Sequence, residues 1–275
     1  MSVKGNYQST RSELSETEKK IVDYVMAQAA GTSPASVSRA ARRLQFSGYN
    51  ELKMQLAADL KGDTNQSDDQ EIQKNATLTT IKQKLLIDAN QSLRETVDQI
   101  NEANVDTIIN LIHQSDRLLV FGVGASYLAA QNIAQKWGRL GYPCHFSDDL
   151  NLFLPLAATA DVEQTLCWFI SNSGESPEVV LAAKLAKKAG LQVIVTTKLG
   201  KNSLTKYADV SIQTSQPMEA RNRFAATQSL HTQFMLIDIL YYAYVSRYYD
   251  AAKIATDQSK AAVTAYREFL RNGFK

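Results

Sequence analysis

Residues 165 to 178 read Thr-Leu-Cys-Trp-Phe-Ile-Ser-Asn-Ser-Gly-Glu-Ser-Pro-Glu, an apolar run that breaks into hydroxyls and a glycine and then starts a helix. The unbroken run Leu166 to Ile170 suits a parallel strand buried on both faces, and Pro177 suits the first turn of the helix that follows. The turn Ser171 to Ser176 therefore lies at a helix N-terminus, where unpaired backbone N–H groups and positive partial charge favour an anion. The hydroxyls of Ser171, Ser173 and Ser176 can each donate to an oxyanion. Serines also cap helices. One cap uses one hydroxyl and three are present, so the pattern predicts a phosphate cradle.

Such a turn needs a sheet behind it. From Arg117 the sequence alternates strand and helix patterns: strands at 118–123, 143–146, 166–170, 192–197 and 210–213, and helices at 126–140, 150–158, 178–189 and 224–248. This alternation predicts a five-stranded, doubly wound parallel α/β sandwich, preceded by two helices within residues 77–112. The first strand ends in Gly122-Val123-Gly124-Ala125-Ser126, but a dinucleotide fingerprint would want glycine at 127, which is Tyr127. Nucleotide binding is therefore rejected. Ligands of open α/β sheets sit beyond the carboxyl ends of strands, which brings this loop and the serine turn to one pocket.

The chain is 44% hydrophobic and 21% charged, with net charge +2, an ordinary composition for a core domain plus a smaller unit. Only residues 1 to 62 lean basic, with nine basic and six acidic side chains; residues 63–75 are acidic and polar and read as a linker. Cys144 and Cys167 fall in or near expected strands, which predicts buried thiols in a reducing compartment. No zinc spacing, cofactor motif, apolar signal segment or membrane-length apolar run is recognised, so a cytoplasmic location is expected.

In the basic segment, Leu14-Ser15-Glu16-Thr17-Glu18 forms a capping box. After Gly31-Thr32, Ser33 and Pro34 start a second helix. Val37, Ala40, Ala41 and Leu44 share one face of it; Ser36, Arg39 and Arg43 share the other, with Ser38 and Arg42 beside them. Hydroxyls leading and guanidiniums behind suit a helix-turn-helix reader of base edges and phosphates, although a solvated helix face has the same pattern. A third helix, 51–60, carries Lys53 within reach of a DNA backbone.

Residues 14–21, 31–39 and 44–49, in that order, resemble the DNA-binding domain of the RpiR family of bacterial transcriptional regulators. Only Met26 to Ala30 separate the first block from the glycine turn, fewer than the family usually has, so the headpiece is expected to be shortened. Residues 122–126 and 171–176 resemble the two ligand loops of the SIS (sugar isomerase) domain over roughly residues 105–250. The resemblance implies that Ser126, Ser171, Ser173 and Ser176 hold a phosphosugar's phosphate, that Gly174 lets the backbone approach, and that Gly124, Ala125, Asn172 and Glu175 complete the loops. Glu219, in the 218–224 loop before the final helix, is a candidate to close over the sugar; a solvated loop is the plain reading.

A sugar-phosphate isomerase or lyase would need an acid/base pair. His113, His145 and His231 are the chain's histidines, and neither they nor Glu175 and Glu219 make a recognisable pair. The sequence thus predicts a phosphosugar-sensing, DNA-binding regulator that acts as a homodimer or higher oligomer. The alternative is an isomerase, or a ligand-binding protein that no longer reads DNA.

Overall fold

The computed structural model describes residues 72–215 and 225–272. The headpiece lies outside them; all but two of the described residues fall in a unit that begins at Lys74. Its elements are α1 (Leu78–Gln99), α2 (Glu102–Gln114), β1 (Arg117–Gly122), α3 (Ala125–Gly138), β2 (Cys144–Ser147), α4 (Leu150–Ala158), β3 (Thr165–Ile170), α5 (Pro177–Lys188), β4 (Gln192–Lys198), a short 3-10 turn (Leu204–Tyr207), β5 (Val210–Thr214), α6 (Gln228–Arg247) and α7 (Tyr249–Asn272).

All strand pairs are parallel, in the order β2-β1-β3-β4-β5. The doubly wound five-stranded sheet expected from the alternation is the one observed. The chain leaves β1 towards β2 and then crosses back to the other side of β1 to form β3, so the order reverses between β1 and β3. That reversal opens the crevice in which α/β sheets bind ligands.

β3 is central and every residue of it is buried. Its alternate side chains supply two cores. Leu166, Trp168 and Ile170 join Ile108, Ile112, Ile133, Trp137, Leu236 and Leu240 from α2, α3 and α6. Cys167 and Phe169 join Phe153, Val179, Ala182 and Ala186 from α4 and α5 on the other face. This two-sided burial explains why the run has no polar alternation. Trp168 satisfies its indole N–H by donating to Thr196 Oγ1 on β4 at 2.9 Å.

The final helix differs from the 224–248 expectation. α6 begins at Gln228; the chain turns at Tyr248 (φ −112°, ψ 44°) and continues as α7, which sequence reading missed. The aromatic run Tyr241 to Tyr249 carries no glycine or proline to mark that break. Tyr244 and His113 hold the corner: Tyr244 OH lies 2.7 Å from Tyr142 OH and 3.2 Å from His113 Nδ1, and His113 stacks on Tyr248 with centroids 3.7 Å apart. Burial and the bond to Tyr142 push the Tyr244 phenol above its ordinary range.

Of the two thiols expected to be buried, Cys167 is buried and Cys144 half-buried, and both are free. Burial pushes each to about 12 from an ordinary value of 9.0. The folded state thus favours the protonated thiols. Their contribution to stability is complete below pH 9 and is lost as pH rises through about 12. Alkylation at pH 8 should be slow in the native protein and reach the rate of an ordinary thiol on unfolding; fast native modification would contradict this burial.

A small polar cluster fastens α1 to the end of β5. Thr96 Oγ1 donates to Ser92 O (2.8 Å) and accepts from Ser215 N (3.0 Å), while Ser215 Oγ donates to Ser92 O (3.0 Å). All three residues are buried. Thr96→Val keeps the shape but leaves Ser215 N–H unpaired, and should cost about 1–3 kcal/mol in urea unfolding.

Candidate functional site

Gly122 at the end of β1 is paired with Ile170 at the end of β3, so the loops that follow leave the sheet side by side. A Cβ on Gly122 would lie 2.7 Å from Ser126 O and 3.2 Å from Ile170 O. Glycine there lets the start of α3 fold tightly over the strand end. Gly124 is the N-cap of α3 with φ 57° and no side-chain cap, and Ala125 and Ser126 form the first turn. Gly124 is exposed, Ala125 half-buried and Ser126 buried.

The second loop gathers its hydroxyls. Ser171 Oγ lies 3.1 Å from Ser176 Oγ and 3.5 Å from Ser173 Oγ, and it accepts from Gly174 N at 3.2 Å. Ser173 Oγ accepts from Glu175 N at 3.1 Å. Ser176 occupies the N-cap position of α5 yet makes no capping bond, and Pro177 follows at the first helical position. Capping therefore does not account for these serines. Their oxygens cluster at an uncapped helix end, where an oxyanion would receive both hydroxyl and backbone N–H donors.

The connection from β4 to β5 holds this loop in shape. Leu204 N donates to Gly174 O at 3.0 Å, and Asn202 bonds Thr197 Oγ1 and Thr205 N, both at 3.1 Å. Gly174 has φ 68°, and a Cβ there would fall 2.3 Å from Asn202 Cγ and 2.7 Å from Asn202 Cβ. Asn202 was not a sequence candidate; its close approach to Gly174 exists only in the folded loop. Glu175 Oε1 accepts from Ser203 N at 2.8 Å, and the hydrogen bond from Ser203 holds its carboxyl below the ordinary value. One carboxylate oxygen is thus spent on fastening the loop.

Gln233, on α6, was also missed. Its Nε2 donates to Ser126 Oγ at 3.2 Å, and the residue is 2% exposed. A signal for it was present, since Gln228, Ser229, Thr232 and Gln233 put polar groups at helical spacing in a helix that is otherwise apolar inside, and all four are buried.

The structure brings Ser171, Ser173, Gly174, Glu175 and Ser176 into one loop and places Gly124, Ala125 and Ser126 at the neighbouring strand end, with Asn172 following Ser171. Glu219 lies outside the described residues, as do Ser33, Ser36, Ser38, Arg39, Arg42, Arg43 and Lys53. Among the described residues, no group of three or more His, Cys, Asp or Glu is placed to hold a metal ion. No described helix is long and apolar enough to cross a membrane.

With this geometry in view, two family patterns match the chain: the SIS domain over residues 111–243 and the rpiR-family helix-turn-helix domain over residues 25–63. The chain belongs to the RpiR family. Among relatives of this RpiR chain, the uncharacterized HTH-type transcriptional regulator YbbH of Bacillus subtilis is 29% identical over 274 residues, covering 94% of this chain and 96% of the relative. The uncharacterized HTH-type transcriptional regulator YfhH of Escherichia coli is 25% identical over 267 residues, covering 91% and 94%. Among solved structures, Vibrio vulnificus NanR complexed with ManNAc-6P shares the fold at a TM-score of 0.63 and 23% identity, covering 95% of this chain and 98% of NanR. The sugar isomerase domain of an RpiR transcription factor from Sphaerobacter thermophilus shares it at 0.59 and 15% identity, covering 66% and 98%.

Gly174→Ala forces both a left-handed backbone on alanine and a clash with Asn202. It should lower stability by about 1–3 kcal/mol in denaturant titration and weaken anion binding at the serine loop in the same variant.

Proposed function

We propose that this RpiR-family chain is a DNA-binding transcriptional regulator of sugar metabolism whose C-terminal domain senses a phosphosugar. The observation that carries the reading is the uncapped N-terminus of α5 with three serine oxygens gathered over it. Ser171, Ser173, Ser176 and Ser126 hold the phosphate. NanR, which shares the fold along nearly all of this chain, was solved with a phosphosugar, ManNAc-6P.

Binding is favoured over turnover by where the acid/base candidates lie. His113 ends α2, ahead of β1, and is engaged with Tyr244 and Tyr248, whereas the loops follow the strands' carboxyl ends. His145 and His231 are exposed on β2 and α6. Glu175 is bonded to Ser203. None of these four groups is bonded to another of them as an acid/base pair for moving a proton between sugar carbons.

The domains of the proposal are the headpiece at 1–62, a linker at 63–75 and the sensor at 76–275. Ser33, Ser36, Ser38, Arg39, Arg42, Arg43 and Lys53 contact DNA, and the unit is at least a dimer because such heads read paired half-sites. The phosphosugar regulates by binding the DNA-competent and DNA-incompetent arrangements with different affinity.

A ligand that binds only the folded state raises its melting temperature. A panel of sugar phosphates, with their unphosphorylated sugars as controls, should give a rise confined to phosphorylated members and lost in Ser173→Ala. No rise with any of them would remove the sensor assignment. The logarithm of DNA affinity should fall linearly with the logarithm of salt concentration, and the affinity should weaken in Arg39→Ala; salt-independent or absent DNA binding would favour a ligand-binding protein that no longer reads DNA.

A further inference from the structure

Gln233 is 2% exposed, and its two amide atoms are treated differently by the fold. Nε2 donates to Ser126 Oγ at 3.2 Å, while the buried Oε1 has no hydrogen-bond partner. A buried acceptor left unpaired is costly, of the order of 1–3 kcal/mol, and native structures retain such groups where they have work to do. The donated bond is chemically apt. It occupies a lone pair of Ser126 Oγ and leaves the hydroxyl proton free for an anion.

Another buried amide oxygen without a partner, Asn172 Oδ1, lies in the serine loop itself. The serine loop and the helix that reaches Ser126 thus each carry a neutral acceptor. Carbonyl oxygens recognise O–H or N–H groups and repel a carboxylate, which has no proton to give.

Resting on the phosphosugar reading above, we propose that Gln233 reads a hydroxyl or amide N–H of the ligand, and that the effector is an uncharged sugar phosphate rather than a phosphorylated sugar acid. The phosphate is fixed by the serines, and discrimination among ligands comes from the α6 amide beside Ser126.

The test is calorimetric titration of the full chain with glucose 6-phosphate, fructose 6-phosphate, N-acetylglucosamine 6-phosphate, 6-phosphogluconate and inorganic phosphate. At least one uncharged sugar phosphate should bind about tenfold or more tightly than 6-phosphogluconate. Gln233→Met, which keeps the volume without the acceptor, should narrow the ratio of sugar-phosphate to inorganic-phosphate affinity by about tenfold, whereas a merely structural role would weaken both alike. Gln233→Glu takes the Ser126 proton and adds a negative charge, so it should lose both ligands. If Gln233→Met does not fold, the same ratio is read on the wild-type chain with 2-deoxyglucose and 3-deoxyglucose 6-phosphates, one of which should bind about tenfold less well than the parent sugar.

Equal affinity for 6-phosphogluconate and the uncharged sugars, or an unchanged ratio in Gln233→Met, would overturn this inference and leave the phosphate cradle standing. Absence of binding by every phosphorylated compound would overturn the cradle together with it.

Discussion

The parallel pairing of β1 with β3 is the constraint on which the rest depends. Six residues of each strand run in register, ending with Gly122 beside Ile170. Because the chain order reverses between these strands, their following loops diverge to opposite faces and leave a crevice between them. α3 and α5 then begin at the same end of the sheet, each directing an N-terminus towards that crevice. Two helix N-termini and the serine hydroxyls come to one end of the sheet only because this register holds; a slip of one residue would turn the strand's two core faces over.

The two faces of β3 are committed to different cores, and this division carries the site's rigidity. Trp137 and Trp168 meet edge to face at 5.6 Å on the α3 and α6 side, while Phe121, Phe153 and Phe169 form an aromatic cluster beneath α4 and α5. Each helix that bears a site residue is therefore seated by large, fully buried side chains. α6 packs against the core containing Leu236 and Leu240 and delivers Gln233 to Ser126 from the same helix. Burying a polar amide at the inner face of such a helix opposes stability, and the bond donated to Ser126 offsets part of that cost.

Much of the sheet was legible in the chain. The apolar run of β3 admits no other strand type, Gly190 (φ 87°) ends α5 as a left-handed stop, and the serine turn lies where its composition places it. The end of α6 at Tyr248 agrees with the expected 224–248 helix, and the stacking of His113 on Tyr248 and the contact of Tyr142 with Tyr244 join that corner to residues more than 100 positions away; the continuation of the chain as α7 was not read from the sequence. α7 has apolar side chains at helical spacing, Val263, Tyr266 and Leu270, so a periodic signal for it was present; all three are exposed, and Ala252 is its buried apolar residue.

By itself the sequence determined the strands, most of the helices, the parallel class of the sheet and the place of the serine turn at a helix start, because burial periodicity, helix starts and hydroxyl composition are local properties. Tertiary structure alone decided which hydroxyls meet, that Ser176 turns to Ser171 instead of capping its helix, that Asn202 closes against Gly174, and that Gln233 reaches Ser126 from 107 positions away. These are contacts between segments remote in sequence. Their geometry is set by strand register and helix packing, which no single stretch of chain contains.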